Sequence, residues 1–122
     1  MSRVFVFKAV TRLTRKKKIA DALLLDVVDQ AERRIFRADL GDETYKVDIP
    51  RGGRGKSHGY RAILGLRVGY RATYVFVWAK NEFENIGGAY LAGLKLQVKT
   101  VLDMSDELIE LAIEHGEISE IP

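Results

Sequence analysis

The chain has 122 residues, 47% of them hydrophobic and 30% charged, with two histidines, no cysteine and a formal net charge of +3. That is one domain with enough apolar residues for a real core, so a disordered tail and a disulfide-stapled miniprotein are excluded; the absence of cysteine also removes thiolate metal sites and makes a reducing cytoplasm the natural location. No apolar run reaches membrane-spanning length, since ALLLDVV is broken by Asp26, and MSRVFVFKAV lacks the apolar stretch and cleavage site of a secretory signal, so no membrane partner is expected.

RVFVFK at 3–8 alternates side chains and predicts a short strand that opens a sheet. The basic cluster RLTRKKK at 12–18 then lies on or beside a first short helix. In IADALLLDVVDQAERRIFRAD, residues Ala20, Leu23, Leu24, Val27, Val28, Ala31 and Ile35 recur at helical spacing, with charges on the other faces, which predicts an amphipathic helix. Gly41 and Asp42 mark a turn into TYKVDIP, a strand ended by Pro50. After RGGRGKSHG come YRAILGLRV, a turn at Gly69, and YRATYVFVWAK, whose unbroken TYVFVWA reads as a central strand buried on both faces. The pattern breaks over residues 81–88. AYLAGLKLQVKTVLDM resumes helical spacing through Leu91, Leu94, Leu96, Val98 and Leu102. Ser105 is the expected N-cap of a last helix ending near Gly116, and GEISEIP is left as an edge strand or a frayed end.

This order predicts an α+β fold: about four strands, mainly antiparallel, with two N-terminal helices and further C-terminal helices packed on the sheet. Charge is divided along it. Residues 1–80 hold 18 Lys or Arg against 8 Asp or Glu, a balance of +10, while residues 81–122 hold 2 against 9, a balance of −7. A positive surface of that size favours polyanions through counterion release, although a merely solvated basic surface accounts for the charge equally well.

RGGRGKSHGYR at 51–61 contains the GKS of a phosphate-binding P-loop, but Pro50 occupies the position of its first glycine and a strand, not a helix, follows. His58 and His115 are too far apart in sequence to form a ligand pair, so neither metal nor cofactor is expected. No serine has nucleophile-elbow context. The cations of the sheet remain: Lys46, Arg51, Arg54, Lys56, Arg61, Arg67, Arg71 and Lys80. Strand alternation puts Lys46 and Asp48 on one side of YKVDI and sets Arg61 opposite to Tyr60. If Lys46, Arg61 and Lys80 face one groove, they make a surface suited to RNA backbone. RNA cleavage on it needs alignment of a 2′-hydroxyl with phosphorus, a proton acceptor, and positive charge on the developing phosphorane.

KVDIPRGGRGKSHGYRAILG, followed by YVFVWAKNEFENI and a lysine-containing helix, resembles the RelE-like toxins of the RelE/ParE superfamily of toxin-antitoxin systems (RelE/HigB type). The likeness extends from FKAVTRLTRKKKI near the start to DELIELAIEHGEI near the end. It implies a RelE-like fold and a metal-free toxin that cleaves messenger RNA, commonly on the ribosome, repressing translation. It also implies a partner, a helix-turn-helix or ribbon-helix-helix antitoxin that neutralises the toxin. By the same resemblance Lys46 matches a catalytic lysine and Arg61 the transition-state arginine. Asp48 stands where RelE enzymes carry a second lysine, Asn81 where they carry an arginine, and Gly87 where they carry a tyrosine. Lys56, Arg54 and Lys80 are the expected replacement cations, with Lys46 or His58 as proton acceptor; a lysine accepts a proton near neutrality only where its surroundings lower its pKa. Arg51, Arg54, Tyr60, Arg67 and Arg71 are the expected RNA contacts. Two other readings stay open: a ParE-like toxin that poisons gyrase through protein contacts, and a non-catalytic RNA-binding relative.

Overall fold

The computed structural model describes residues 2–50, 59–82 and 85–122. Strand β1 (Arg3–Phe7) leads directly into helix α1 (Lys8–Lys16), and α2 (Asp21–Glu32) follows. Strands β2 (Ala38–Asp39), β3 (Thr44–Ile49), β4 (Tyr60–Arg67) and β5 (Arg71–Ala79) come next, then α3 (Gly88–Asp103), α4 (Asp106–Glu114) and β6 (Ile118–Ile121). The sheet has the order β2-β3-β4-β5-β1-β6. It is antiparallel except that β1 runs parallel to β5.

The α+β architecture agrees with expectation, but the strand count is six where about four were expected. The two additional strands are the two-residue β2, paired to β3 through Ala38↔Lys46, which was not expected, and the four-residue β6, paired to β1, which makes GEISEIP the edge strand that was one of its two readings. Both are too short to impose an alternating pattern. The first helix also begins earlier than its basic cluster, at Lys8. β5 is flanked by β4 and β1 and buried along most of its length, as the apolar run TYVFVWA requires.

The alternation of each strand divides the core between the two faces of the sheet. On one face, Tyr45, Val47, Ile49, Tyr60, Ala62, Leu64 and Tyr74 pack with Val10 of α1 and Leu24, Val27, Val28 and Ala31 of α2. Ala20 and Ile35, read from periodicity as part of that stripe, lie outside α2, and Ile35 is exposed. On the other face Ile63, Val75 and Trp78 meet Leu94, Val98 and Leu102 of α3, while Phe5 meets Val101, Ile109 and Ile118. Leu96, expected inside, is exposed on the outer side of α3. α3 sits close to the sheet because Gly65 has no side chain: a Cβ there would lie 2.4 Å from Val98 Cγ1. Ser105 caps α4 as expected, its hydroxyl accepting from the Leu108 N–H.

α3 and α4 cover only part of their face. α3 meets the face through Ile63, Val75 and Trp78, and toward the end where Ile49 pairs with Tyr60 the same face carries Asp48 and Arg61.

Candidate functional site

Three registered strands build this polar surface. Lys46 and Asp48 alternate with the buried Tyr45, Val47 and Ile49 on β3, so both project to the face that carries α3. In the adjoining strands Asp48 faces Arg61 and Arg61 faces Trp78, giving a row across the sheet; Lys46, Ile63 and Phe76 form the parallel row beside it.

The Asp48 carboxylate is the hub. Arg61 Nε donates to its Oδ1 at 3.4 Å, Lys80 Nζ lies 3.6 Å from the same oxygen, and Arg37 Nη1 lies 3.6 Å from Oδ2. Lys46 Nζ donates to Asn85 Oδ1 at 3.5 Å. Four cations and one carboxylate therefore share a patch, leaving it positive. Arg61 and Lys80 are deep, with side chains 14% and 15% exposed, whereas Arg37 is half open at 50%. Partial enclosure weakens solvent screening, so the deeper pair acts on a bound anion more strongly than surface cations would.

The structure thus brings together three of the predicted residues, Lys46, Arg61 and Lys80, and adds Arg37. Arg37 was missed because it precedes the two-residue β2; its backbone N–H donates to the Lys46 carbonyl at 2.7 Å, which fixes it beside β3. Its only sequence signal was the alternation in FRAD. Asp48, read as a departure from the family pattern, is here the group that holds the cations.

Three expected RNA contacts have other occupations. Arg71 is 1% exposed; it donates to the Val101 and Met104 carbonyls and pairs with Asp106 at 2.8 Å, tying the end of α3 to the start of α4. Arg67 clasps Glu43 and Asp103 at 2.7 and 2.9 Å and donates to the Leu102 carbonyl. Tyr60 faces the α1/α2 core. Arg67 and Arg71 share the face of Arg61, but they stand at the end of the sheet that α3 covers, so burial and carboxylate pairing take them from any ligand. Arg51, Arg54, Lys56 and His58 lie outside the described residues; the segment that carries them joins β3 and β4 at the Asp48 end of the sheet.

Pairing moves the acid-base behaviour of the Arg67 clasp. Hydrogen bonds from Arg67 hold the Glu43 and Asp103 carboxyls below their ordinary range, Lys99 adding to the effect on Asp103. Among the described residues no group of three or more His, Cys, Asp or Glu is placed to hold a metal ion, and no helix is long and apolar enough to cross a membrane.

Chemically, the described residues bring two enclosed cations and two more accessible ones to one face, a charge pattern that suits an anionic group. A family model described as the RelE toxin of the RelE/RelB toxin-antitoxin system matches residues 2–121. Neither a curated protein nor a solved structure matches the chain.

Proposed function

We propose, on the premise that the chain belongs to the RelE toxin family, that it is an endoribonuclease that cleaves messenger RNA and is neutralised by a cognate antitoxin. The observation that carries this reading is the convergence of Arg37, Arg61 and Lys80 within 3.4–3.6 Å of the Asp48 carboxylate, with Lys46 on the same face.

An RNA phosphate drawn to this patch meets the cations from the solvent side. In the reaction the 2′-hydroxyl gives up its proton, a bond forms between O2′ and phosphorus, the bond to O5′ breaks, and O5′ takes a proton. The products are a 2′,3′-cyclic phosphate and a 5′-hydroxyl. Arg61 and Lys80 stabilise the charge that builds on the non-bridging oxygens, and Arg37 holds the flanking backbone. Lys46 or His58 takes the 2′ proton. Arg54 and Lys56 are the further cations of this reading.

Inducible expression followed by mapping of RNA 5′ ends tests the reading. The chain should arrest growth and produce discrete new 5′-hydroxyl ends, and Arg61→Ala should abolish both. Growth arrest without new RNA ends, accompanied by loss of gyrase supercoiling with purified protein, would overturn it in favour of the ParE-like alternative.

A further inference from the structure

Among the described residues, the strongest concentration of unpaired charge lies on the other face of the sheet. α1 buries Val10 and Thr14 inward and presents Lys8, Arg12, Arg15 and Lys16 outward, with Lys17 and Lys18 continuing beyond its end. All six are exposed. Among the described residues none of the six forms an ion pair, whereas Arg3, Arg33, Arg34, Arg37, Arg61, Arg67, Arg71, Lys80, Lys95 and Lys99 all do.

Helix electrostatics accounts for only part of this. Arg15, Lys16 and Lys17 at the C-terminal end are favourable to the helix dipole, but Lys8 stands in the first turn, where a cation is unfavourable, and Arg12 gains nothing. The row from Lys8 to Lys16 spans roughly 12 Å at helical rise and is rigid because its inner side is anchored in the core. Beside it, a hollow of about 590 Å³ opens between α1, α4 and β6, with the Thr11 and Ser119 hydroxyls meeting there at 3.2 Å; Lys8, Arg12 and Arg15 form part of its wall, as do Glu110 and Glu120, whose carboxylates are already paired with Arg3.

We propose that α1 is a second nucleic-acid-binding surface, one that takes the phosphate backbone of a duplex. Fixed cations on a rigid helix suit the fixed phosphates of a double helix. Single strands are held by aromatic platforms on which bases stack, and the outward residues of α1 include no aromatic. A lipid surface is disfavoured because the bulky apolar residues of α1 point into the core, leaving none to insert. The surface is separate from the sheet cluster and does not depend on the endonuclease reading.

The test is fluorescence anisotropy of an RNA duplex of about 20 base pairs, and of the DNA duplex of the same sequence, over a salt series. Wild type is compared with R12Q/R15Q/K16Q/K17Q, with the charge-retaining R12K/R15K, and with K95Q/K99Q on α3, and the same proteins are offered anionic phospholipid vesicles. The neutralised variant should lose about 3 units of the slope of log affinity against log salt and more than tenfold in affinity at about 0.1 M salt. R12K/R15K should keep both, and K95Q/K99Q should bind duplex within about twofold of wild type. Loss on either duplex supports the proposal, and its sugar identifies the source of the backbone. Unchanged duplex binding by the neutralised variant overturns it, as does a loss confined to the vesicles or an equal loss with K95Q/K99Q.

Discussion

Replacing Asp48 by asparagine keeps the shape of the side chain and an acceptor for Arg61 but removes the negative charge that Arg37, Arg61 and Lys80 share at 3.4–3.6 Å. The Asp48 side chain is 35% exposed, so each pair contributes in the range of surface ion pairs, and the three together contribute about 1–2 kcal/mol. At roughly 3–6 °C per kcal/mol for a chain of this length, the melting temperature should fall by roughly 3–12 °C. Binding should move the other way. One uncancelled cation steepens the salt dependence for single-stranded RNA by about 0.7, which amounts to about fivefold tighter binding at 0.1 M salt relative to 1 M. Thermal melting, together with anisotropy of a labelled 2′-O-methyl oligonucleotide that resists cleavage, reads both effects. A folded Asp48→Asn protein with unchanged salt slope, or with weaker binding, would refute the idea that Asp48 offsets charge at a phosphate site.

Arg71→Ala takes the guanidinium donor from the Met104 carbonyl, leaves the Val101 carbonyl with the long Met104 N–H bond, and opens a cavity at the junction of α3 and α4, so unfolding free energy in urea should fall by about 2–4 kcal/mol. Gly65→Ala forces a methyl group against Val98 and should cost about 1–3 kcal/mol, part of it recovered on adding Val98→Ala. Because Arg67 depresses the Glu43 and Asp103 pKa values, their contribution is complete above the ordinary carboxylate range and is lost as pH falls through the lowered folded values. Melting temperature should therefore drop between about pH 5 and pH 3, and Arg67→Met should flatten that part of the profile.

Strand alternation was enough to put Lys46 and Asp48 on one face and to set Arg61 apart from Tyr60, because side-chain direction in a strand is a local property. Arg67 and Arg71 were expected on the RNA surface simply as cations of the same strands. That reading misplaced them because the cover that α3 lays over one end of the face arises from contacts distant in sequence, such as Gly65 against Val98. β2 and β6 were hard to read for a related reason: two and four residues carry too little pattern, and their pairing depends on partners fixed elsewhere. The parallel pairing of β1 with β5 joins segments about 70 residues apart and leaves no mark in either one. Arg37 escaped notice because its place beside Asp48 follows from β2.

The central claim is that the cations around Asp48 act on an RNA phosphate through the neighbouring 2′-hydroxyl. Purified protein, with ribosomes supplied, should cut a messenger RNA at defined positions to give 2′,3′-cyclic phosphate and 5′-hydroxyl ends. A single 2′-deoxy substitution at the cut position, or Arg61→Ala, should abolish that product. Cleavage that survives the 2′-deoxy substitution, or an Arg61→Ala protein as active as wild type, would contradict the account.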